Sequence, residues 1–485
     1  MVVHRVRSAP LPDVDFDAIR VELEVPGDFP PEVTSAAVNA AAVDQPVVLD
    51  ATHIELVTID PPGSMDLDQA VAIEDLPGGG WRVFYAIADV AAWVHPGDPV
   101  DVAARARTQT YYAPDRRMPL HPSALGEAAA SLLPDGPRPA ALWTISVAPD
   151  GTTTSIDVRR ATVRSRARLT YAQVQADLDA GTAPAVLRAF PALGAALLTD
   201  SRRRHAIELG LPEQEVVKDA DGRWSVEFRA DLAIETWNAQ VSLLTGRAAA
   251  TLMLRAGLGI LRTLPDPDPA SFPRLQRAAR NLGILWPDGA HPGTVLAGLD
   301  PSQPKQAAFA DLAAELLRGA GYTVLGAAPA PAPGPGPGPG APTIETDHAG
   351  VGGPYAHVTA PLRRLVDRFG TEVCLAVVAG TEVPSWVTEA LPTLPELMAE
   401  GDRRSHKLDR AIVDATEAMV LADRVGEVFP ASVVETGDRY GTVVIEDPAV
   451  RGRCDTRDLP LGAAISVRCT EADVAKRSVR FERVG

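Results

Sequence analysis

Three aspartates share one short loop of the chain, T-I-D-P-P-G-S-M-D-L-D-Q-A, which spans residues 58–70. Asp60, Asp66 and Asp68 fall within nine residues, and the Pro-Pro-Gly at 61–63 predicts a tight turn between the first two. Carboxylates held this close repel one another, which raises their pKa values unless a cation lies among them. Oxygen ligands at this density suit Mg²⁺ or Mn²⁺ better than metals that prefer nitrogen or sulfur. The loop therefore predicts a divalent-metal site.

The alternative interpretation of this loop is a polar hairpin turn that happens to be acidic. A calcium-binding EF-hand is excluded, because the D-x-D-x-D-G spacing and its closing glutamate are absent. Long motifs elsewhere in the chain favour the metal site. They are F-Y-A-I-A-D-V-A-A-W-V-H-P-G-D at 84–98, T-Y-Y-A-P-D-R-R-M-P-L-H-P at 110–122, A-S-L-L-P at 130–134 and Y-A-H-V-T-A-P-L-R-R-L-V-D-R at 355–368.

These blocks, in this order and at these distances, resemble the catalytic RNB domain of the ribonuclease II family. The resemblance implies a 3′→5′ exoribonuclease that releases nucleoside 5′-monophosphates from single-stranded RNA with Mg²⁺ or Mn²⁺. Asp60, Asp66 and Asp68 match the first three positions of the family's D-x5-D-x-D-D metal cluster, and Gln69 stands at the fourth. Gln69 keeps a carbonyl oxygen as a metal ligand but lacks the charge. Two hypotheses therefore stand, an active nuclease and an RNA-binding protein with weakened or lost activity.

The same resemblance implies roles for residues outside the aspartate loop. Arg363, in T-A-P-L-R, matches the arginine of the family's T-S-P-I-R motif and is expected to act in catalysis together with Asp68. A guanidinium group suits a phosphate oxygen whose charge grows in the transition state. Tyr112 matches the tyrosine that packs on the terminal nucleotide, and Arg364 and His357 are expected to bind substrate as well.

The order of sequence patterns predicts an α+β fold, in which a segment of strands precedes a large helical segment. We expect a short, helical N-terminal segment at 1–50 and an RNB catalytic domain at 51–425. A Pro/Gly-rich flexible loop is predicted at 327–342, because alternating Pro and Gly cannot form a helix or a core. Residues 426–485 are similar to the family's C-terminal RNA-binding OB-fold barrel. Residues 1–50 cannot hold the cold-shock-type barrels common in relatives, which predicts a more open RNA entrance and more distributive cleavage. The alternative is that residues 1–50 fold over the entrance and replace the barrels.

Composition limits the remaining possibilities. The 485 residues carry a formal net charge of −17, which argues against non-specific coating of nucleic acid but not against a locally basic channel. No apolar run of eighteen residues and no N-terminal signal core occur, and the three cysteines lack metal-site spacing. We therefore expect a cytoplasmic monomer that binds single-stranded RNA, without a membrane or an obligatory protein partner.

Two smaller features carry predictions of their own. Arg164, Arg166 and Arg168 alternate along the chain, which places them on one face of a strand, where they could meet a phosphate backbone. The alternative is an ordinary solvated face. In the helix predicted around 238–250, Thr245 and Gly246 replace an Ala-Asn pair of the family, and glycine there would permit closer packing.

Overall fold

The computed structural model describes residues 14–211, 213–218, 222–300, 303–326, 345–437 and 439–485, so the predicted loop at 327–342 lies outside the described residues. The α-helices are α1 Phe16–Glu22, α2 Pro31–Ala41, α3 Pro99–Arg107, α4 Tyr171–Asp179, α5 Phe190–Arg203, α6 Ala233–Ala256, α7 Phe272–Leu282, α8 Pro292–Leu296, α9 Pro304–Ala313, α10 Leu365–Ala379, α11 Ser385–Ala390 and α12 Leu394–Leu421.

The β-strands follow the same order along the chain. They are β1 Leu56–Asp60, β2 Gln69–Asp75, β3 Trp81–Ala88, β4 Tyr111–Tyr112, β5 Arg117–Met118, β6 Arg138–Val147, β7 Thr153–Val163, β8 Ser165–Thr170, β9 Glu213–Lys218, β10 Trp224–Arg229, β11 Gly259–Thr263, β12 Gly321–Leu325, β13 Asp347–His348, β14 Gly353–Pro354, β15 Val428–Thr436, β16 Gly441–Ile445, β17 Val450–Cys454, β18 Ala464–Asp473 and β19 Ser478–Val484.

A six-stranded sheet in the order β7-β6-β3-β2-β1-β8 forms the centre of the first half of the chain. Its pairings are antiparallel except for β1 and β8, which run parallel at one edge. Side chains alternate along β2, so that Val71 and Ile73 face one core while Ala70 and Ala72 face the other. The first core is covered by helices that include α5, α6 and α10, and the second by α2. The sheet is therefore buried on both faces.

A closed five-stranded barrel, in the order β15-β16-β17-β19-β18, follows the long helix α12. The predicted α+β fold with a C-terminal barrel is confirmed. The sequence pattern predicts strands at 431–435, 441–445, 464–469 and 478–481, which correspond to β15, β16, β18 and β19, whereas β17 is not predicted. Within the described ranges, no helix combines the length and the apolar composition needed to cross a bilayer.

The N-terminal helix α1 is tied to the β4–β5 hairpin and to α12. Phe16 and Ile19 pack in one apolar cluster with Tyr111 and with side chains of α12. The Arg20 guanidinium donates to both carboxylate oxygens of Asp115, at 2.6 and 2.8 Å, in the turn of the hairpin. The hairpin is therefore braced from the chain's N-terminal region.

Glu417 of α12 joins the helix to the barrel through buried hydrogen bonds. Its carboxyl oxygen accepts from the Arg451 backbone N–H at 2.7 Å and from the Gln214 side-chain amide at 2.5 Å. Burial raises the pKa of the Glu417 carboxyl to about 7, from 4.5, although both hydrogen bonds oppose the shift.

We expect Glu417→Gln to raise the melting temperature at pH 8 and to change it little at pH 4.5. A raised folded-state pKa means that the stability present below pH 4.5 is lost as the pH rises towards 7, a loss of up to about 3 kcal/mol. Glutamine keeps the accepting oxygen but carries no charge to desolvate. Thermal unfolding at both pH values tests this, with the exposed Glu389→Gln as control. Equal shifts for the two variants at pH 8 would contradict it.

Candidate active site

The aspartate loop connects two neighbouring strand ends. Asp60 is the last residue of β1 and Gln69 the first of β2, and the two strands pair antiparallel through Val57 and Val71. Gly63 has a φ of 82°, a left-handed conformation that glycine adopts without strain, and this allows the tight turn. The two ends of the loop are thereby held close together at one end of the sheet.

The A-S-L-L-P motif anchors this loop. The Ser131 hydroxyl donates to the Met65 carbonyl at 2.6 Å and accepts from the Leu67 N–H at 3.0 Å. The Leu132 N–H donates in turn to the Leu67 carbonyl at 3.0 Å, and the Leu67 side chain is fully buried. These bonds fix the backbone on both sides of Asp66.

Two of the three carboxylates, those of Asp60 and Asp68, are buried, which disfavours their charged forms. Burial raises the pKa of Asp60 to about 7 and that of Asp68 to about 8, with Arg363 acting in the opposite direction on both. One oxygen of Asp60, Oδ2, is buried without a hydrogen-bond partner among the described residues. Asp68 accepts from the Leu362 N–H at 2.7 Å. A cation at this position would relieve the burial of negative charge.

Asp66 has a cation beside it. The guanidinium of Arg117 bonds to the Asp66 carboxylate and also lies 2.7 Å from an oxygen of Glu127. Arg117 stands opposite Tyr112 in the β4–β5 hairpin. The hairpin is therefore coupled directly to the aspartate loop.

Arg363 lies at the same site although it is almost three hundred residues from the loop in sequence. Its Nε is 3.2 Å from Oδ2 of Asp68, and its side chain is 50 % exposed. Its backbone carbonyl accepts from the Thr110 N–H at 2.9 Å, which ties it to the segment that leads to Tyr112. The structure thus brings Asp60, Asp68 and Arg363 together, with part of the guanidinium free towards solvent.

Tyr112 and its neighbour take opposite environments. Tyr111 is fully buried in the cluster beneath the hairpin, whereas Tyr112 is 47 % exposed. Alternation along a strand explains the difference, because successive side chains point to opposite faces. The ring of Tyr112 is therefore available to an aromatic ligand such as a base.

Gln69, whose carbonyl oxygen is predicted to serve as a metal ligand, has hydrogen-bond partners at both ends of its side-chain amide. Its Oε1 accepts from the Tyr85 hydroxyl at 2.5 Å, and its Nε2 donates to the Thr359 carbonyl at 2.6 Å. A backbone carbonyl can only accept, so this partner fixes which way the amide points. Gln69 therefore ties β2 to the T-A-P-L-R segment.

Arg364 and His357, which are predicted to bind substrate, also have partners within the protein. Arg364 forms two bonds, of 2.5 and 2.8 Å, to the carboxylate of fully buried Asp367. His357 shares a hydrogen bond of 2.8 Å with the Tyr322 hydroxyl, and burial holds its pKa well below the usual range. Their side chains support the segment that carries Arg363.

The glycine of the Thr245–Gly246 pair permits the close packing that the sequence suggested. A Cβ at Gly246 would lie 2.1 Å from the ring of Tyr355 and 2.6 Å from the Ala356 carbonyl. The Gly246 carbonyl accepts from the Ala356 N–H at 3.1 Å. Helix α6 therefore approaches the segment leading to Arg363 at a point where no side chain fits.

Sequence reasoning missed Tyr171. Asp60 pairs with Thr170 across the parallel β1–β8 pair, so Tyr171, the first residue of α4, lies beside the aspartate. Its hydroxyl accepts from Asn238 Nδ2 at 3.3 Å. The only signal was an aromatic residue directly after the Arg164–Arg168 strand, and its meaning depended on a strand pairing that the sequence did not show.

The donor chemistry of the site fits a hard divalent cation, whereas a preformed cage is absent. Asp60, Asp66 and Asp68 supply only carboxylate oxygens, one of them buried without a partner. Among the described residues, no group of three or more His, Cys, Asp or Glu side chains is arranged to hold a metal ion. Arg363 and Arg117 supply positive charge beside Asp68 and Asp66.

Comparison with family descriptions decides the relationship. Residues 49–372 match the RNB domain, and residues 427–484 match the RNase II-type exonuclease C-terminal S1 domain. The chain belongs to the RNB-domain family. The resemblance drawn from the motifs is thereby confirmed, and the family is one of hydrolytic exoribonucleases.

Curated relatives agree with this assignment. Ribonuclease R of Thermotoga maritima is 24 % identical over 468 residues, which cover 91 % of this chain and 63 % of the relative. Ribonuclease R of Escherichia coli is 27 % identical over 458 residues, which cover 90 % of this chain and 53 % of the relative. The exosome complex exonuclease RRP44 homolog A of Arabidopsis thaliana is 27 % identical over 400 residues, which cover 76 % of this chain and 39 % of the relative. The chain thus spans between 39 % and 63 % of the length of these relatives.

Solved structures share the fold. Mycoplasma genitalium RNase R in complex with ribose-methylated single-stranded RNA superposes with a TM-score of 0.84 at 19 % identity, covering 97 % of this chain and 77 % of that one. Yeast Ssd1, described as a pseudonuclease, superposes with a TM-score of 0.64 at 16 % identity, and the match covers 87 % of this chain and 53 % of Ssd1. The fold therefore occurs in proteins with and without nuclease activity.

Proposed function

We propose that this protein is a divalent-metal-dependent 3′→5′ exoribonuclease that hydrolyses single-stranded RNA to nucleoside 5′-monophosphates. The observation that carries the proposal is the placement of Arg363 beside Asp68 and Asp60 in a member of the RNB family. Asp60, Asp66 and Asp68 would hold Mg²⁺ or Mn²⁺. The bound ion supplies positive charge for the phosphate group and lowers the pKa of the attacking water.

The protein's own residues position the substrate. Tyr112 stacks on the terminal base, a contact worth on the order of 1–3 kcal/mol. Arg363 donates to a non-bridging phosphate oxygen, whose charge grows as water attacks the phosphorus and the bond to the 3′-oxygen of the remaining RNA breaks. The 3′-terminal nucleotide is thereby released with its 5′-phosphate, and the shortened RNA keeps a 3′-hydroxyl. Asp68 accepts from the Leu362 N–H and lies against the Arg363 Nε, so it orients that guanidinium.

The test is shortening of a 5′-labelled oligoribonucleotide by the full chain with Mg²⁺, with Mn²⁺ and with a chelator. We expect a ladder that shortens from the 3′ end, release of 5′-monophosphates, and little cleavage of the matched DNA, since RNA-specific proteins contact the 2′-hydroxyl. No shortening with either metal would overturn the proposal. RNA binding without shortening would support the alternative, an RNA-binding protein on the same fold.

The alternative function, an RNA-binding protein without nuclease activity, rests on Gln69 at the fourth position of the metal cluster. The structural similarity to yeast Ssd1, described as a pseudonuclease, supports it. If a missing carboxylate limits the rate, Gln69→Asp should raise activity. The hydrogen bonds lead us to expect the opposite. Aspartate is one methylene shorter and has no N–H donor, so it loses the bond to the Thr359 carbonyl and weakens the one from Tyr85.

We therefore expect Gln69→Asp to lower the free energy of unfolding by about 1–3 kcal/mol and to slow hydrolysis. Denaturant unfolding and single-turnover cleavage measure the two effects. Tyr85→Phe is the companion variant, because it removes only the hydroxyl and should cost about 1 kcal/mol while preserving activity. Faster cleavage by Gln69→Asp would show that the fourth carboxylate is the missing element.

A further inference from the structure

Three arginines form an exposed line on β8, an edge strand of the central sheet. Arg164, immediately before the strand, and Arg166 and Arg168 within it are all exposed. Ala167, between Arg166 and Arg168, and Leu169, directly after Arg168, pack against the apolar core. Exposed arginines thus alternate with less exposed residues, as the sequence pattern predicts. The register of the β1–β8 pair shifts between Leu56 and Thr58, so the three arginines do not keep one common face.

Carboxylates do not balance the positive charge of these guanidinium groups within the described part of the chain. Among the described residues, none of the three pairs with a carboxylate, although acidic residues outnumber basic ones, 63 to 46. Arg166 donates to the Thr52 carbonyl at 2.6 Å, and Arg168 to the Ser64 carbonyl at 3.2 Å, both neutral backbone groups. Other arginines of the same sheet, such as Arg82, Arg159 and Arg160, do pair with carboxylates. The line is a concentration of uncompensated positive charge.

The line leads to the candidate active site. Because β8 runs parallel to β1, Arg168 stands opposite Thr58, two residues before Asp60. Arg168 also contacts the aspartate loop at Ser64, and its charge acts on Asp60. Alternate residues of a regular strand are roughly 6.6 Å apart, so the three positions extend over at most roughly 13 Å.

We propose that Arg164, Arg166 and Arg168 form a sequence-independent track for the phosphates of an RNA strand whose end lies at the aspartate loop. This inference rests on the proposed function for its choice of polyanion. A stacked strand carries one phosphate roughly every 3.4 Å, so the track matches about four nucleotides, more than a single released nucleotide can span. Backbone contacts of this kind give affinity without base preference.

The experiment measures RNA affinity against salt concentration in the hydrolysis-deficient Asp68→Asn background. The probe is a fluorescent single-stranded 12-mer, and the variant is Arg164→Gln with Arg166→Gln. Arg168 is left in place because it contacts the loop. Each lost phosphate contact lowers the slope of log affinity against log salt by about 0.7, so we expect a decrease of about 1.4. The matched control is Arg82→Gln with Arg159→Gln, which removes the same charge from carboxylate-paired arginines of the same sheet.

An unchanged slope in the Arg164/Arg166 variant, or an equal decrease in the control, would overturn the track. The Arg164/Arg166 variant could instead keep the slope of log RNA affinity against log salt and be inhibited less by a nucleoside 5′-monophosphate. That result would also overturn the track and would indicate a product site. The proposed function is judged separately by cleavage with wild-type Asp68. Cleavage with an unchanged slope refutes only the track, whereas the predicted slope change without cleavage refutes only the nuclease.

Discussion

Asp68→Asn should lower the rate of RNA shortening by on the order of 1,000-fold or more, because losing several kcal/mol of transition-state charge stabilisation has that effect. Asparagine has the same shape and keeps an oxygen for the Leu362 N–H. It lacks the charge that holds a cation and faces Arg363. RNA affinity should change by no more than about twofold, since affinity comes mainly from phosphate and stacking contacts.

Single-turnover cleavage of a labelled oligoribonucleotide and a binding isotherm measure these two quantities. Asp75→Asn is the matched control, since it lies on the same strand β2 but is exposed at its far end. It should leave both quantities unchanged. Cleavage by Asp68→Asn within tenfold of wild type would mean that Asp68 is not part of the catalytic site.

The second large effect separates two neighbouring arginines. Arg363→Gln should lower kcat by about 10²–10³ with little change in unfolding, because its half-exposed guanidinium faces the site. Arg364→Gln should lower the free energy of unfolding by about 3–5 kcal/mol, because it leaves the buried Asp367 carboxylate without its charge partner.

Chemical denaturation and cleavage of the same two preparations test the contrast. Arg363→Lys provides a further comparison, because it keeps the charge but loses the planar fork of donors. We expect lysine to restore only part of the activity. Full activity of Arg363→Gln, or normal stability of Arg364→Gln, would contradict the roles that we draw from their contacts.

The sequence predicts the parts of this protein that depend on local pattern. Alternation locates strands β3, β6 and β7, and the aspartate spacing locates the loop. The sequence pattern predicts a helix over 403–424, whereas helix α12 begins earlier, at Leu394, with proline in its first turn. The predicted helix over 185–209 is a short 3₁₀ turn followed by α5. Strand β17, V-R-G-R-C, was missed because its central glycine weakens the pattern, and a Cβ there would lie 2.5 Å from the Phe481 ring.

The roles of single polar side chains could not be predicted in the same way. Gln69 bonds to a carbonyl 290 positions away, and Asp68 to an N–H 294 positions away. No local pattern shows whether a polar side-chain atom is already hydrogen-bonded to such a distant partner. The identity of the aspartates limited the chemistry, but the tertiary fold decided which of the flanking residues remained free to act.

The bracing of the β4–β5 hairpin has a consequence for the order in which the protein is made. Phe16 and Ile19 complete their apolar cluster only with Leu408, Ile412 and other residues of α12. Contacts this far apart in sequence form late, because the intervening chain must first be closed into a loop. During synthesis the hairpin that presents Tyr112 must therefore wait for α12 to leave the ribosome.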